Sequence, residues 1–383
     1  MKEVLETLIP EIESIYEHLH ENGETSWNEN KTTDYIVSIL KKNGLGVTTF
    51  SDCPGAVGEW KRSKDEAVLT VGVRADMDAL WQEVNGNYKA NHSCGHDGHM
   101  TIALGTMLLL KKMNIDLPGN LKFIFQPAEE VGEGALKMLE KGVMEDVDFL
   151  YGVHLRPIEE VPHGKASSGI IHGASVTMEG KISGFDGHGA RPHLSVNAIE
   201  VLSAIVEQLK GVHLNPLVPY SVKMTQASAG GQNSNIIPGS GTFHLDLRAQ
   251  SNDAMEELIS KVEHVIVKTG ELYRVEIQFK LTERVYAAVI SDKAEKMMAK
   301  AIQLAMGEEA YVHPIITPGG EDFHFYTKER PNIKATMLGL GCDLQPGLHH
   351  PYMNFKREAL ISGIEIMART VIETFNKYGK NRK

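Results

Sequence analysis

Apolar residues recur at helical spacing from the first turn of the chain. Val4, Leu5, Leu8, Ile9, Ile12, Ile15 and Tyr16 form one stripe and predict a helix over 3–20. A second stripe of Tyr35, Ile36, Ile39 and Leu40 predicts a helix starting near Thr32 or Thr33 and stopping at Asn43-Gly44. Two β-rich runs, 55–60 and 67–73, flank the polar RSKDE and read as a hairpin. An apolar helix over 98–113 then leads to the strand LKFIFQ (121–126), and a short helix over 133–141 leads to DFLYGVHL (148–155). Strands alternating with helices predict a mainly parallel sheet covered on both faces.

The texture changes after about residue 165. Strand-like segments at 174–185, 219–228, 239–248 and 273–281 are bounded by glycine turns, with helical stretches at 197–211 and 253–270. From about 290 the alternation returns: helix 291–306, strands 311–316 and 335–340, helix 356–377. The fold class expected is therefore α/β, a domain of residues 1–172 and 286–383 interrupted by an α+β domain of residues 173–285.

Composition narrows the function classes. The chain has 383 residues, 42% hydrophobic and 23% charged, as globular domains do, and its length suggests two to three of them. The net charge of −11 argues against nonspecific nucleic-acid binding, which works by neutralising phosphates. Three cysteines, Cys53, Cys94 and Cys342, exclude a disulfide framework. The charge-studded N-terminus lacks the apolar core of a signal peptide, and the most apolar run, 101–110, is about half a membrane span. A cytoplasmic protein with no membrane and no nucleic-acid partner is expected.

The 17 histidines gather in short clusters. In Asn91-His-Ser-Cys-Gly-His-Asp-Gly-His99, Cys94 and His96 are two apart and face one way in extended backbone. A thiolate beside an imidazole suits zinc, cobalt, nickel or iron; a buried cysteine near surface histidines is the competing reading. Gln126-Pro-Ala-Glu-Glu130 follows a strand, and two adjacent carboxylates there call for a shared cation or proton. One could ligate a metal and the other hold the water it acidifies; a solvated acidic first turn of a helix competes. His154 ends a predicted strand, and His349 and His350 lie in a Gly/Pro loop. His188, Arg191 and Asn235 sit in glycine-rich turns of the inserted domain. Gly319-Gly-Glu-Asp-Phe-His324 offers either supporting carboxylates for the site or a helix cap by Glu321 or Asp322.

Taken in order, these motifs resemble the M20 metallopeptidases, and most of all their amidohydrolase branch of hippurate hydrolases, N-acyl-amino-acid deacylases and auxin-conjugate hydrolases. The resemblance begins at His20-Glu-Asn-Gly-Glu-Thr-Ser26, includes Arg74-Ala-Asp-Met-Asp78 and ends at His349-His-Pro351. It implies metal ligands at Cys94, His96, Glu130, His154 and His349, a general base at Glu129, and Asp78 orienting a ligand. It implies that His188 helps bind the substrate carbonyl, with Asn235 and Arg248 near the substrate, and that the inserted domain is a lid or dimerisation domain. One or two divalent transition metals (zinc, manganese, cobalt or nickel), a small N-acyl amino acid substrate and a homodimer follow from the same resemblance. The expected reaction is hydrolysis of the acyl amide by metal-activated water. A dipeptidase or aminopeptidase of the same family is the alternative, with a catalytically silent metal- or ligand-binding protein the remaining class. Trp81 in place of the usual proline, a short stretch from Leu80 to Cys94, and Phe185-Asp186 before Gly187 depart from the family pattern without touching a ligand position.

Overall fold

The runs TVGVRAD and NLKFIFQ are buried at every position, as strands covered on both faces must be. The computed structural model describes residues 1–62 and 68–379. It divides into two compact units, one of 1–171, 289–316 and 322–383, the other of 172–288 and 317–321.

The first unit is built on a sheet of β1 (Gly46–Thr49), β2 (Ala56–Trp60), β3 (Thr70–Asp76), β6 (Asn120–Gln126), β7 (Phe149–Pro157), β8 (Ala166–Ser167), β9 (Tyr311–Val312) and β10 (Lys334–Leu344), with β4 (Leu80–Val84) and β5 (Asn87–Asn91) forming a separate hairpin. The strand order is β1-β2-β6-β3-β7-β10-β8-β9. The central pairs β6/β3, β3/β7 and β7/β10 are parallel, so their carboxyl ends share one edge. Its helices include α1 (Ile9–Glu21), α2 (Asn30–Lys42), α3 (His96–Lys112), α4 (Asp292–Met306) and α5 (Ala359–Tyr378). Every residue of α3 from His96 to Leu110 is buried, because this helix lies in the core rather than over it.

Several expectations need correcting. The runs 55–60 and 67–73 do not form a hairpin: β6 lies between β2 and β3, antiparallel to one and parallel to the other. Most of the RSKDE turn and Ala67 lie outside the described residues. The helix over 3–20 is two helices, Lys2–Glu6 and Ile9–Glu21, since Pro10 lacks an N–H and fits only the first turn of a new helix. The strand over 311–316 is divided at His313-Pro314 into two short pieces. The β4–β5 hairpin, turning at Asn85-Gly86 with both residues at positive φ, was not expected.

In the second unit, Tyr220–Ala229, Gly241–Ala249, Ala174–Ser183 and Glu276–Val285 form an antiparallel sheet in that order. Strict alternation buries Phe243, Leu245 and Leu247 on one face. Helices Ala198–Leu209 and Asn252–Tyr273 join the same core through Val201, Ile205, Leu258, Val262 and Ile266. Both are capped, by the side chains of Asn197 and Ser251.

Candidate metal centre

The carboxyl ends of β3, β6, β7 and β10 deliver the chemistry of the first unit to one place. His96 is the first residue of α3 and Cys94 lies two residues before it, with Gly95 between them as the cap, left-handed at φ 88°. A Cβ at Gly95 would come within 3.0 Å of the Leu155 side chain, so the turn favours glycine on both counts. Glu129 and Glu130 follow β6, His154 lies near the end of β7, and His349 sits in the loop after β10. That loop is tied in by His349 N–H to Ser93 O (2.8 Å) and by the Gln82 amide to His349 O (2.8 Å).

Potential donor atoms within 4.8 Å of one another form overlapping sets: Cys94, His96 and His154; Cys94, Glu130 and His349; His96, Glu129 and Glu130. His96 and His154 are each held through Nδ1. His96 Nδ1 lies 3.2 Å from Asp78 Oδ1 and His154 Nδ1 lies 2.7 Å from Leu155 O. Donating from Nδ1 leaves each Nε2 lone pair facing the cluster. His154 Nε2 is 3.7 Å from Cys94 Sγ, and His96 Nε2 is 3.9 Å from an oxygen of both Glu129 and Glu130. Among the described residues His96 Nε2 and Glu130 Oε1 are buried without a hydrogen-bond partner, an expense that fits donors to a metal ion. The thiol, imidazole and carboxylate donors suit a transition metal rather than magnesium or calcium.

The local field calls for positive charge. Bonds to Cys94 and Glu130 push His349 up to about 10. Burial would push His96 down, but Asp76, Cys94 and Asp78 outweigh it and hold it well above the ordinary range. His154, buried and facing His99 and Arg156, is held well below it, as suits a neutral ligand.

Asp78 does more than face His96. Its Oδ2 accepts the Glu130 N–H (3.0 Å) and the Ser26 hydroxyl (2.7 Å), so one carboxylate holds a histidine and the carboxylate segment together. Two further residues act beside the cluster without an expected role. His99 Nδ1 lies 2.6 Å from Asp76 Oδ1, and its Nε2 accepts the Leu155 N–H at 2.9 Å. Both ring nitrogens are engaged, so His99 is a brace and not a ligand. Asp76 is held down against its burial by His96, His99 and Arg74. The signal for this pair is present in the sequence: Arg74, Asp76 and Asp78 share one face of an otherwise apolar run, and His96 and His99 share one helix face. Asp322 accepts from Arg74 (2.8 Å), Gln126 (2.8 Å) and the Ala135 amide (2.9 Å), while the following helix has Phe323 as its cap residue and no side-chain cap; of the two readings of that motif, the supporting carboxylate describes Asp322.

In the second unit, His188 and Asn235 come together on a two-stranded ladder, where His188 pairs with Ile236 and Gly189 N–H donates to Asn235 O (2.9 Å). His188 Nδ1 accepts the Ala190 N–H (3.1 Å), which leaves its outer nitrogen as a donor. Arg248 stands on a different strand, paired with Asp246 at 3.1 Å.

A thiol–imidazole–carboxylate cluster at the carboxyl edge of a mainly parallel α/β sheet defines a metal-dependent hydrolase as the class of protein. The chain belongs to peptidase family M20/M25/M40, whose model matches residues 72–373, and is a metallo-amidohydrolase by type. It is 30% identical over 374 residues to an IAA-amino acid hydrolase, ILR1-like 2, of Arabidopsis thaliana, covering 93% of this chain and 83% of that one. It is 28% identical over 365 residues to the N-acetylcysteine deacetylase of Bacillus subtilis, covering 92% and 94%. Among solved structures, the Bacillus subtilis YXEP protein, described as a dinuclear metal binding peptidase from M20 family, aligns with TM-score 0.82 and 25% identity over 98% of this chain and 99% of that one.

Proposed function

We propose that the protein hydrolyses the amide bond of N-acyl amino acids or related small conjugates, with Cys94, His96, Glu130, His154 and His349 holding one or two transition-metal ions. The observation that carries this reading is the overlap of the donor sets, which share Cys94, His96 and Glu130, with Glu129 beside them. When bound, such an ion supplies a Lewis acid that acidifies water and polarises a carbonyl.

The protein's own groups do the rest. Glu129 takes the proton of the attacking water as it adds to the carbonyl carbon, then returns it to the nitrogen of the departing amine, so that one carboxylate serves as base and acid in turn. Asp78 and the Leu155 carbonyl keep His96 and His154 in the tautomers that present Nε2. His188 donates to the substrate's carbonyl oxygen, and Asn235 and Arg248 contact its polar end. A reduced Cys94 thiol accords with a cytoplasmic location, and the inserted unit serves as lid and homodimer contact.

The relatives named IAA-amino acid hydrolase and N-acetylcysteine deacetylase support a reading in which an acyl amide, rather than a free α-amine, is the group recognised. The test is a panel of acetyl-, aromatic-acyl- and aminoacyl-amino acids, assayed on chelated protein restored with zinc, manganese, cobalt or nickel. Hydrolysis of the acyl members alone is expected. A requirement for a free amine converts the reading to a dipeptidase, and metal binding with no hydrolysis across the panel sinks it.

A further inference from the structure

Glu29 is completely buried, which is rare for a glutamate, and among the described residues its Oε2 has no hydrogen-bond partner. It precedes α2 but does not cap it: no side-chain cap bond comes from Glu29, and the Thr32 amide and hydroxyl turn instead to Glu24 at 2.9 and 3.0 Å. The backbone of Glu29 is fixed, since its carbonyl accepts the Thr33 N–H (2.9 Å) and hydroxyl (2.6 Å). The side chain reaches across 99 residues of sequence to the Ala128 N–H, which Oε1 accepts at 2.8 Å.

Ala128 is the residue before the two site carboxylates, and its φ is 55°, a left-handed conformation that an alanine adopts only under constraint. That turn matters to the chemistry. Adjacent side chains on extended backbone point to opposite sides, yet Glu129 and Glu130 both come within 3.9 Å of His96 Nε2. The chain achieves this by turning at Ala128 and closing Gly132 N–H onto Glu129 O (2.8 Å). The amides on either side of Glu129 are each held by a carboxyl group, Ala128 by Glu29 and Glu130 by Asp78. Burial and the charge of Asp78 push Glu29 up to about 8.

We infer that Glu29 is a positioning residue: by accepting the Ala128 N–H it holds the left-handed turn that aims Glu129 and Glu130 at one site. This rests on the roles proposed above for those two residues. Glu29→Ala removes the acceptor, whereas Glu29→Gln keeps a carbonyl oxygen in its place. For Glu29→Ala, zinc affinity read by chelator competition should fall about 10- to 100-fold, as for the loss of other groups that orient ligands. Its kcat should fall with KM little changed, and the visible absorption of the cobalt-substituted protein should shift. Glu29→Gln should stay close to wild type in all three. Adding Ala128→Gly to Glu29→Ala should recover part of the loss, because glycine accepts the positive φ freely. If Glu29→Ala does not fold, Glu29→Asp, one methylene shorter, replaces it. The inference is overturned if the folded variant matches wild type in zinc affinity, spectrum and kcat, or if Glu29→Gln is as impaired as Glu29→Ala. A wild-type protein that binds no transition metal or hydrolyses no acyl amino acid overturns the parent reading and this one with it. A competent wild type with indifferent variants overturns this one alone.

Discussion

Glu129 and Glu130 are adjacent, chemically identical and equally far from His96 Nε2, at 3.9 Å, yet the proposed mechanism gives them opposite signatures. Glu129→Gln preserves side-chain size, and its remaining oxygen can still accept the Asp322 N–H that lies 3.5 Å from Oε1. The variant therefore keeps fold and metal and loses only the proton carrier. Removal of a general acid–base costs about 10²- to 10⁴-fold in kcat, or roughly 3–5 kcal/mol of barrier. Glu130 faces His349 Nε2 at 3.3 Å through Oε2 and presents an Oε1 without a hydrogen-bond partner among the described residues, so Glu130→Gln removes an anionic donor. Loss of groups that merely orient ligands weakens metal binding about 10- to 100-fold, and loss of a ligand should exceed that.

The assay pairs elemental analysis of dialysed protein with kcat and KM on an N-acyl amino acid at several metal concentrations. Glu129→Gln should be fully metallated and slow at every concentration. Glu130→Gln should be metal-poor, with activity rising as metal is added. An active, fully loaded Glu129→Gln preparation free of wild-type enzyme refutes the role of Glu129. Exchanged signatures would refute both assignments together.

Other consequences follow from the same structure. Cys94→Ser, which replaces a thiolate ligand by a weak hydroxyl donor, should lower zinc affinity by at least about 100-fold and abolish the sulfur-to-metal charge-transfer band of the cobalt form. Gly105→Ala would ordinarily gain about 1 kcal/mol inside a helix. Here the new Cβ would stand 2.3 Å from Ile364 Cδ1 in a closed core, so urea unfolding should instead show a loss of about 1–3 kcal/mol. Burial, with Arg74 adding to it, pushes His324 down to about 3, so in acid the unfolded chain takes a proton there that the folded one refuses. Its contribution to stability is present above pH ~6.5 and is lost as pH falls towards 3, with a slope of about 1.4 kcal/mol per pH unit. His324→Asn should flatten the urea-midpoint profile across that window, and an unchanged slope would contradict the assignment.

The parallel core was legible because strands covered on both faces leave unbroken apolar runs, and the candidate positions Glu129, Glu130 and His154 because they stand where two of those runs end. The false hairpin shows the limit. Strand adjacency in a sheet is a nonlocal choice, and β6 enters between β2 and β3 from about 60 residues further on, with nothing in 55–73 to announce it. The supporting residues were hidden for a related reason. Arg74 finds Asp322 across 248 residues and Glu29 finds Ala128 across 99, and a charge inside an apolar run declares no partner.

Those buried charges have a direction. Arg74, itself wholly buried, bonds Asp76 at 2.6 Å and Asp322 at 2.8 Å; Asp76 bonds His99 at 2.6 Å; His99 receives the Leu155 N–H at 2.9 Å; and the Leu155 carbonyl orients His154 at 2.7 Å. A buried ion pair gives little net stability over apolar packing, so stability alone is a weak reason to bury this one. A continuous chain of short bonds from β3 through α3 to β7 does supply what the role proposed for His154 needs, a ring held in one orientation. On the proposed role of His154, the burial of Arg74 serves the aim of that ring, four bonds away, where the chemistry requires rigidity.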